Sequence, residues 1–362
     1  MKFDSSKIKS VHLEITDKCN ASCPMCPRSD HGGQLNQFIN KNEMTLSKAK
    51  IIFDAEFLKQ LNFLQLCGNF GDPIVAKETL EILDYFRSVN PRISLGVHTN
   101  GSARTTDWWQ RLGVLLSGPN DYCKFGLDGL EDTNHIYRRN THWSKIMQSV
   151  SAFIAAGGNA HWEFLVFKHN QHQIEEAKNL SIKMGFKKFF VKKTSRFFNY
   201  KTGLNEPYSI YDENRNTIGV IEAPTDSQFI NAISTSGGEL QTAPAQVNSE
   251  NLVTKSCIEC ASIVENQIYI SSRGEVFPCC FIAGEPYYSF NGTESQHLRS
   301  LFSDGQDSMN QAIAGQNQTI LDVVRGPLFK EIESQFTKND SPIQSCQRIC
   351  KKDFKIVKAE YQ

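Results

Sequence analysis

The sequence predicts an α/β chain of parallel βα units followed by a small C-terminal α+β region. Three observations lead there. Six short runs rich in β-branched or aromatic residues alternate with helical patterns over residues 1–200. The residues with the most chemistry stand at the C-terminal ends of those runs, where parallel α/β architectures gather their active groups. Beyond a polar stretch, six more cysteines crowd the last third of the chain. Right-handed crossovers give such units either a partial barrel or an open doubly wound sheet, and the spacing is compatible with both.

The first strand covers residues 11–15, VHLEI, a short apolar run with polar flanks. It enters a loop holding Cys19, Cys23 and Cys26 at C-x3-C-x2-C spacing, where Pro24 and Pro27 prevent early helix formation. Residues 29–42 read as a polar surface loop. Thr45 caps a single helical pattern over residues 45–61, with apolar positions at Leu46, Ala49, Ile52, Phe53, Phe57, Leu58 and Leu61. Residues 63–67 form a second strand ending in GNFGDP, followed by a helix over 77–87. A third strand, 93–98, ends in Thr99-Asn100-Gly101 before a helix holding Trp108 and Trp109. Residues 123–127 lead to Asp128-Gly129 and a helix over 143–156. Residues 161–167 and 188–192 are the fifth and sixth strands, separated by a helix over 173–184.

Three thiolates within eight residues converge on one point, and soft thiolates select zinc, copper(I) or iron–sulfur clusters. A four-iron cluster normally takes four cysteines, so three leave one iron open for another ligand. Zinc needs a fourth ligand, which only His12 or His31 could supply by folding back. C-x3-C-x2-C after a first strand resembles the signature loop of the radical S-adenosylmethionine (radical SAM) enzymes. The resemblance implies a partial (β/α)6 barrel, a [4Fe-4S] cluster on Cys19, Cys23 and Cys26, and S-adenosylmethionine bound at the open iron. The family usually has an aromatic residue just before the third cysteine. Here it is Met25, which can also pack against an adenine ring.

The other strand ends extend the resemblance. Phe70-Gly71-Asp72-Pro73 stands where the family carries a "GGEP" motif whose backbone meets the cofactor's amino group. Asn100 and Asp128 occupy positions that often contact the ribose hydroxyls, although a turn asparagine and a helix-capping aspartate explain them equally well. Arg138 suits the cofactor's carboxylate, since arginine binds carboxylates bidentately, with Arg139 as its solvated neighbour. Cys67 and Cys123 read as buried apolar cysteines.

Residues 201–255 are polar, with little periodicity outside 217–221, and read as a linker or insertion. Residues 256–362 then form a third region. Residues 267–271 and 276–277 make a hairpin across Arg273-Gly274, with Cys279 and Cys280 at its base. Cys346 and Cys350 are one helical turn apart, so both can face one point. The run resembles the SPASM and twitch extensions of radical SAM enzymes, which bind auxiliary clusters. Six cysteines are too few for two clusters of four ligands, which implies one auxiliary [4Fe-4S] cluster. The expected ligands are Cys260, Cys279, Cys346 and Cys350, with Cys257 as a substitute and Cys280 spare. A structural zinc site would use the same thiolates.

Composition narrows the functional classes. The 362-residue chain is 40% hydrophobic and 22% charged with a formal net charge of zero, ordinary for a globular protein and lacking the basic excess of a nucleic-acid binder. No apolar run is long enough to span a bilayer, and the N-terminal residues lack a secretory h-region. Eleven cysteines then read as metal ligands in a reducing cytoplasm, with no membrane partner.

The resemblance implies an oxidoreductase in which the reduced cluster cleaves S-adenosylmethionine to a 5′-deoxyadenosyl radical that takes a hydrogen atom from the substrate. Implied substrates are a ribosomally made peptide or, alternatively, a small alcohol or sugar. The implied electron donor is flavodoxin- or ferredoxin-like, with Lys187, Lys188, Lys192 and Lys193 as candidate docking residues. Methyl or methylthio transfer, which would need an added cofactor domain, and a non-enzymatic metal scaffold are the rival readings.

Overall fold

A computed structural model of the chain describes residues 3–37, 39–199, 204–230, 258–285, 313–315, 317–337, 343, 345, 346 and 350. All six expected βα strands are present. They are β1 Ser10–Leu13, β2 Phe63–Leu66, β3 Ser94–Thr99, β4 Tyr122–Gly126, β5 Ala160–Leu165 and β6 Lys188–Lys192. They pair in chain order and in parallel.

Alternation along these strands separates two environments. Val11, Leu13, Leu64, Leu66, Leu95, Val97, Cys123, Phe125, Trp162 and Phe164 are fully buried in the main apolar core. Trp109, Phe125 and Phe153 meet there at ring distances of 5.4–6.4 Å, joining the helices Thr106–Leu115 and Trp143–Ala155 to β4. The intervening residues, among them His98, Lys124, Glu163 and Lys192, face a cavity instead. The sheet is therefore apolar towards its helices and polar on its other face.

One expected helix is broken. The pattern over 45–61 forms two helices, Leu46–Ile52 and Ala55–Gln60. Asp54 takes an extended backbone between them and accepts the Phe57 N–H at 2.8 Å, so a local N-cap overrides a continuous periodicity.

The described part of the polar region folds into paired strands, β7 Phe198–Asn199 with β8 Leu204–Asn205 and β9 Tyr208–Tyr211 with β10 Thr217–Ile221. The β9–β10 hairpin lies on the cysteine loop. The His31 ring stacks between Tyr208 and Tyr211 at 4.2 and 4.5 Å, and its Nδ1 lies 2.7 Å from the Ser209 carbonyl oxygen. Arg215 pairs with Asp30 at 2.8 Å.

The C-terminal hairpin, β11 Gln267–Ile270 with β12 Val276–Phe277, continues the main sheet, with β11 parallel to β1 on the side away from β2. The helices Ile320–Arg325 and Pro327–Ser334 bury Val324, Phe329 and Ile332 in the same core. Among the described residues, no helix is long and apolar enough to cross a membrane.

Candidate active site

The C-terminal ends of β1–β6 surround a cavity of about 740 Å³. Its wall includes Cys19, Cys23 and Cys26, the Gly71-Asp72 turn, Asn100 and Arg138, so residues far apart in sequence reach one space. Gly71 has a steric reason: a Cβ there would collide with the Thr16 carbonyl, so only glycine lets the loop after β2 lie against the cysteine loop.

Cys19 Sγ accepts hydrogen bonds from the Ala21 N–H at 3.3 Å and the Asn100 side-chain amide at 3.7 Å. Cys26 Sγ lies 3.9 Å from the Asn69 carbonyl. Burial pushes the Cys23 thiol up to about 11 and the Cys19 and Cys26 thiols upward as well. Mutual repulsion among the three adds to this. Held as thiolates, they require a strongly cationic partner. His12 and His31, the imidazoles a zinc site would have drawn on by folding back, are engaged elsewhere, His12 Nε2 lying 2.5 Å from the Cys67 carbonyl and His31 Nδ1 2.7 Å from the Ser209 carbonyl.

The other expected cofactor contacts stand at different depths. Asp72 is buried and accepts the Asn100 N–H at 2.7 Å, the Thr99 hydroxyl at 3.1 Å and the Ile74 N–H at 3.1 Å. It thereby ties the loop after β2 to the end of β3. Pro73 opens the turn Pro73–Val75 behind that wall. Asn100 also donates to Asn20 Oδ1 at 3.0 Å, joining β3 to the cysteine loop. Asp128 is sealed from solvent, accepting the Leu165 N–H at 2.7 Å and pairing with Arg138 Nε at 2.6 Å. Removing one member of that pair leaves a buried charge and costs about 3–5 kcal/mol. Gly126 makes room for the pair, since a Cβ there would meet the Arg138 guanidinium. Met25 is buried in a second apolar cluster with Ala21, Tyr137, Phe167 and Ile210, beneath the β9–β10 hairpin.

Two features were not read from the sequence. Glu14, just past β1, is buried and accepts the Phe70 and Gly71 N–H groups at 2.8 and 2.9 Å, while the Tyr269 hydroxyl of β11 donates to its other oxygen. A lone glutamate inside an apolar strand run was the available signal. The second is the polar inner face. Lys192 and Lys193 line the cavity while Lys187 and Lys188 are exposed, so the four candidate docking residues divide between the cavity wall and the surface. Strand alternation turns Lys192 inward, onto Glu163.

The C-terminal cysteines approach the same cavity. Cys350 is on its wall beside Glu259 and Phe281. The Cys350 N–H donates to the Cys346 carbonyl at 3.0 Å, and the Glu259 N–H donates to the Cys350 carbonyl at 2.9 Å. The Cys346 thiol is raised by burial first and then by Cys279, Cys350 and Cys260, so these four act on one another. Cys280 acts on Cys67 as well as on Cys279, and its carbonyl accepts from Asn69 at 2.7 Å. Cys257 lies outside the described residues.

Comparison with known proteins agrees with this geometry. Residues 13–180 match the family described as the radical SAM superfamily. GTP 3′,8-cyclase from Staphylococcus epidermidis is 23% identical over 195 residues, 50% of this chain and 54% of that protein. A tungsten-containing aldehyde ferredoxin oxidoreductase cofactor-modifying protein from Pyrococcus furiosus is 29% identical over 133 residues, 36% of this chain and 33% of that one. The chain thus spans about half or less of the curated relatives it matches. Among solved structures, Streptococcus suis SuiB bound to precursor peptide SuiA superposes with a TM-score of 0.56 at 15% identity, covering 94% of this chain and 71% of SuiB. Native anSMEcpe with bound AdoMet and Cp18Cys peptide gives 0.51 at 14% identity, covering 96% and 92%. With the cysteine loop, the parallel sheet and the family match in agreement, residues 13–180 carry a radical SAM domain, and the parallel β1–β6 sheet agrees with that family's partial barrel.

Proposed function

We propose that this protein is a radical SAM oxidoreductase acting on a peptide, with Cys19, Cys23 and Cys26 holding the [4Fe-4S] cluster. The observation that carries the reading is the convergence of these thiols on one cavity wall at the C-terminal end of the parallel strands. The donor set fits the cluster: three thiols, Cys23 buried and Cys19 and Cys26 half-buried, are all raised by desolvation and need cationic iron to ionise, and three ligands leave one iron for the cofactor. Bound together, cluster and S-adenosylmethionine supply reductive cleavage of the cofactor and hydrogen-atom abstraction from the substrate.

The chain's own residues position and shield. Gly71 and Asp72 present the loop backbone expected to meet the cofactor's amino group, and Glu14 fixes that loop from below through two N–H groups. Asn100 braces the cysteine loop through Asn20 and would offer its amide to the ribose hydroxyls. Arg138, fixed by Asp128, supplies a cation for the cofactor's carboxylate. Met25 packs beneath the cysteine loop, and the β9–β10 hairpin covers that side from solvent.

On this reading residues 1–200 are the core, 201–255 an insertion that includes the shielding hairpin, and 256–362 a SPASM/twitch-like region. Cys260, Cys279, Cys346 and Cys350 hold an auxiliary [4Fe-4S] cluster beside the same cavity, placed to accept an electron from the substrate or to hold it. The peptides on SuiB and anSMEcpe support a peptide substrate. A flavodoxin- or ferredoxin-like protein supplies the electron. Anaerobically reconstituted protein with dithionite should convert S-adenosylmethionine to 5′-deoxyadenosine and methionine. Protein that carries zinc without sulfide and forms no 5′-deoxyadenosine overturns the proposal.

A further inference from the structure

Below the cysteine rim, the inner face of β3–β6 carries charge where a sheet could carry apolar filling. His98 and Lys124 are directly opposed on β3 and β4, Glu163 is on β5, and Lys192 ends β6. All four line the cavity that holds the cysteines. Glu163 Oε2 lies 3.0 Å from Lys192 Nζ and 3.4 Å from Lys124 Nζ, and Lys124 Nζ stands 4.9 Å from the Phe190 ring centroid.

Two ammoniums share this one carboxylate. Each carries three N–H donors, more than a shared carboxylate can take, and the cluster retains one positive charge. Burial pushes the Glu163 carboxyl up, but Lys192 and Lys124 outweigh it and hold it below its ordinary value. His98 is driven down to about 3, first by burial and then by Lys124, so it adds no charge of its own. A fold needing only a packed barrel would be as stable with apolar residues there. The one surplus positive charge of Lys124 and Lys192 over Glu163 points to an anionic ligand.

We infer that Lys124 and Lys192 receive a carboxylate of the substrate, Glu163 being the resident counter-ion that keeps the two ammoniums together until it arrives. The inference rests on the cavity being the radical site and adds a substrate class: the peptide segment entering the barrel bears an aspartate or glutamate side chain or a free C-terminal carboxylate. Two lysines suit this, because each binds an anion as a point charge without demanding a fixed planar geometry.

The test uses anaerobic holoenzyme with S-adenosylmethionine bound and no reductant, with ligand affinity read by saturation-transfer NMR. The probes are N-acetylaspartate amide for a side-chain carboxylate, N-acetylalanine for a chain terminus, and N-acetylasparagine amide and N-acetylalanine amide as neutral counterparts. At least one acid should bind about tenfold or more tighter than its neutral counterpart, and the better acid identifies the source. Lys124→Met and Lys192→Met should each remove most of that preference. Glu163→Gln should strengthen acid binding several-fold by removing the competing carboxylate, a gain that a purely structural ion cluster would not give.

Equal binding of acids and neutral probes by the wild type overturns the inference, and that comparison needs no variant to fold. So does tighter binding of inorganic phosphate than of either acid. So does a Lys192→Met enzyme that loses affinity for S-adenosylmethionine while keeping its preference for acids, since the cations would then serve the cofactor. Cleavage of S-adenosylmethionine by the wild type is scored separately. Its absence would sink the radical-site reading itself, whereas its presence without a carboxylate preference would sink only this inference.

Discussion

Replacing Glu14 with glutamine isolates one buried group and predicts a pH effect of known sign. Glu14 joins β1, the loop at Phe70-Gly71 and Tyr269 of β11, and burial pushes its carboxyl from an ordinary value of 4.5 up to about 7. Between those values the folded protein keeps a proton that the unfolded chain has released. The stability of the protonated form is therefore fully present below about pH 4.5 and is lost as pH rises through about 7. That interval corresponds to about 3 kcal/mol, since one pH unit is worth about 1.4 kcal/mol. Glutamine keeps a carbonyl for the two N–H groups and offers an amide donor to the Tyr269 oxygen, so the contacts survive while the titration disappears. Urea unfolding of both proteins under anaerobic, reducing conditions at about pH 5, 6, 7 and 8 reads the difference directly. Wild-type stability should fall relative to Glu14→Gln by about 2–3 kcal/mol from the lowest to the highest pH. Two parallel pH curves would refute the reasoning, because Glu14 would then be titrating as an ordinary carboxyl.

Three further outcomes follow from the site. Asp72→Ala leaves up to three buried donors unmatched, at about 1–3 kcal/mol each, and should weaken S-adenosylmethionine binding while iron content stays unchanged. Asn100→Ala should do the same, and unaltered affinity in both variants would place the cofactor on other loops. His31→Ala removes the ring stacked between Tyr208 and Tyr211, at about 0.5–1.5 kcal/mol per ring contact, and should speed bleaching of the cluster's visible absorbance in air. An unchanged bleaching rate would show that the hairpin does not shield the cysteine loop. Replacing Cys346 and Cys350 together should remove about four irons and leave some substrate-free cofactor cleavage, four being one cluster's complement. Loss of zinc instead of iron would make that group a structural zinc site.

The strands were legible because each places Val, Leu, Phe or Trp against the helices at alternate positions, and that burial dominates their sequence. The cysteine loop was legible because its spacing is local. What escaped depended on partners distant in the chain. The residues around Tyr208 and Tyr211 show little periodicity because the hairpin packs on His31 and on the buried Met25, not on the main core. Glu14 passes as one member of an apolar strand run because its partner, Tyr269, lies 255 positions away. Lys192 stands beside Lys193 at the end of an apolar strand run, where sequence alone offers only a docking cation, and only the sheet's pairing turns it onto Glu163. Asp54 shows the converse: a strong periodicity over 45–61 was interrupted by one side-chain cap that the pattern itself does not register.

Whether Cys19, Cys23 and Cys26 hold the cluster that cleaves the cofactor is tested most directly by replacing all three with alanine. Iron, sulfide and zinc are then measured in anaerobically reconstituted protein, together with 5′-deoxyadenosine formed under dithionite. The wild type should carry about eight irons with matching sulfide, and the triple variant about four, each cluster holding four. The triple variant should form no 5′-deoxyadenosine. Undiminished iron with continued cleavage in that variant, or zinc without sulfide in the wild type, would contradict the assignment.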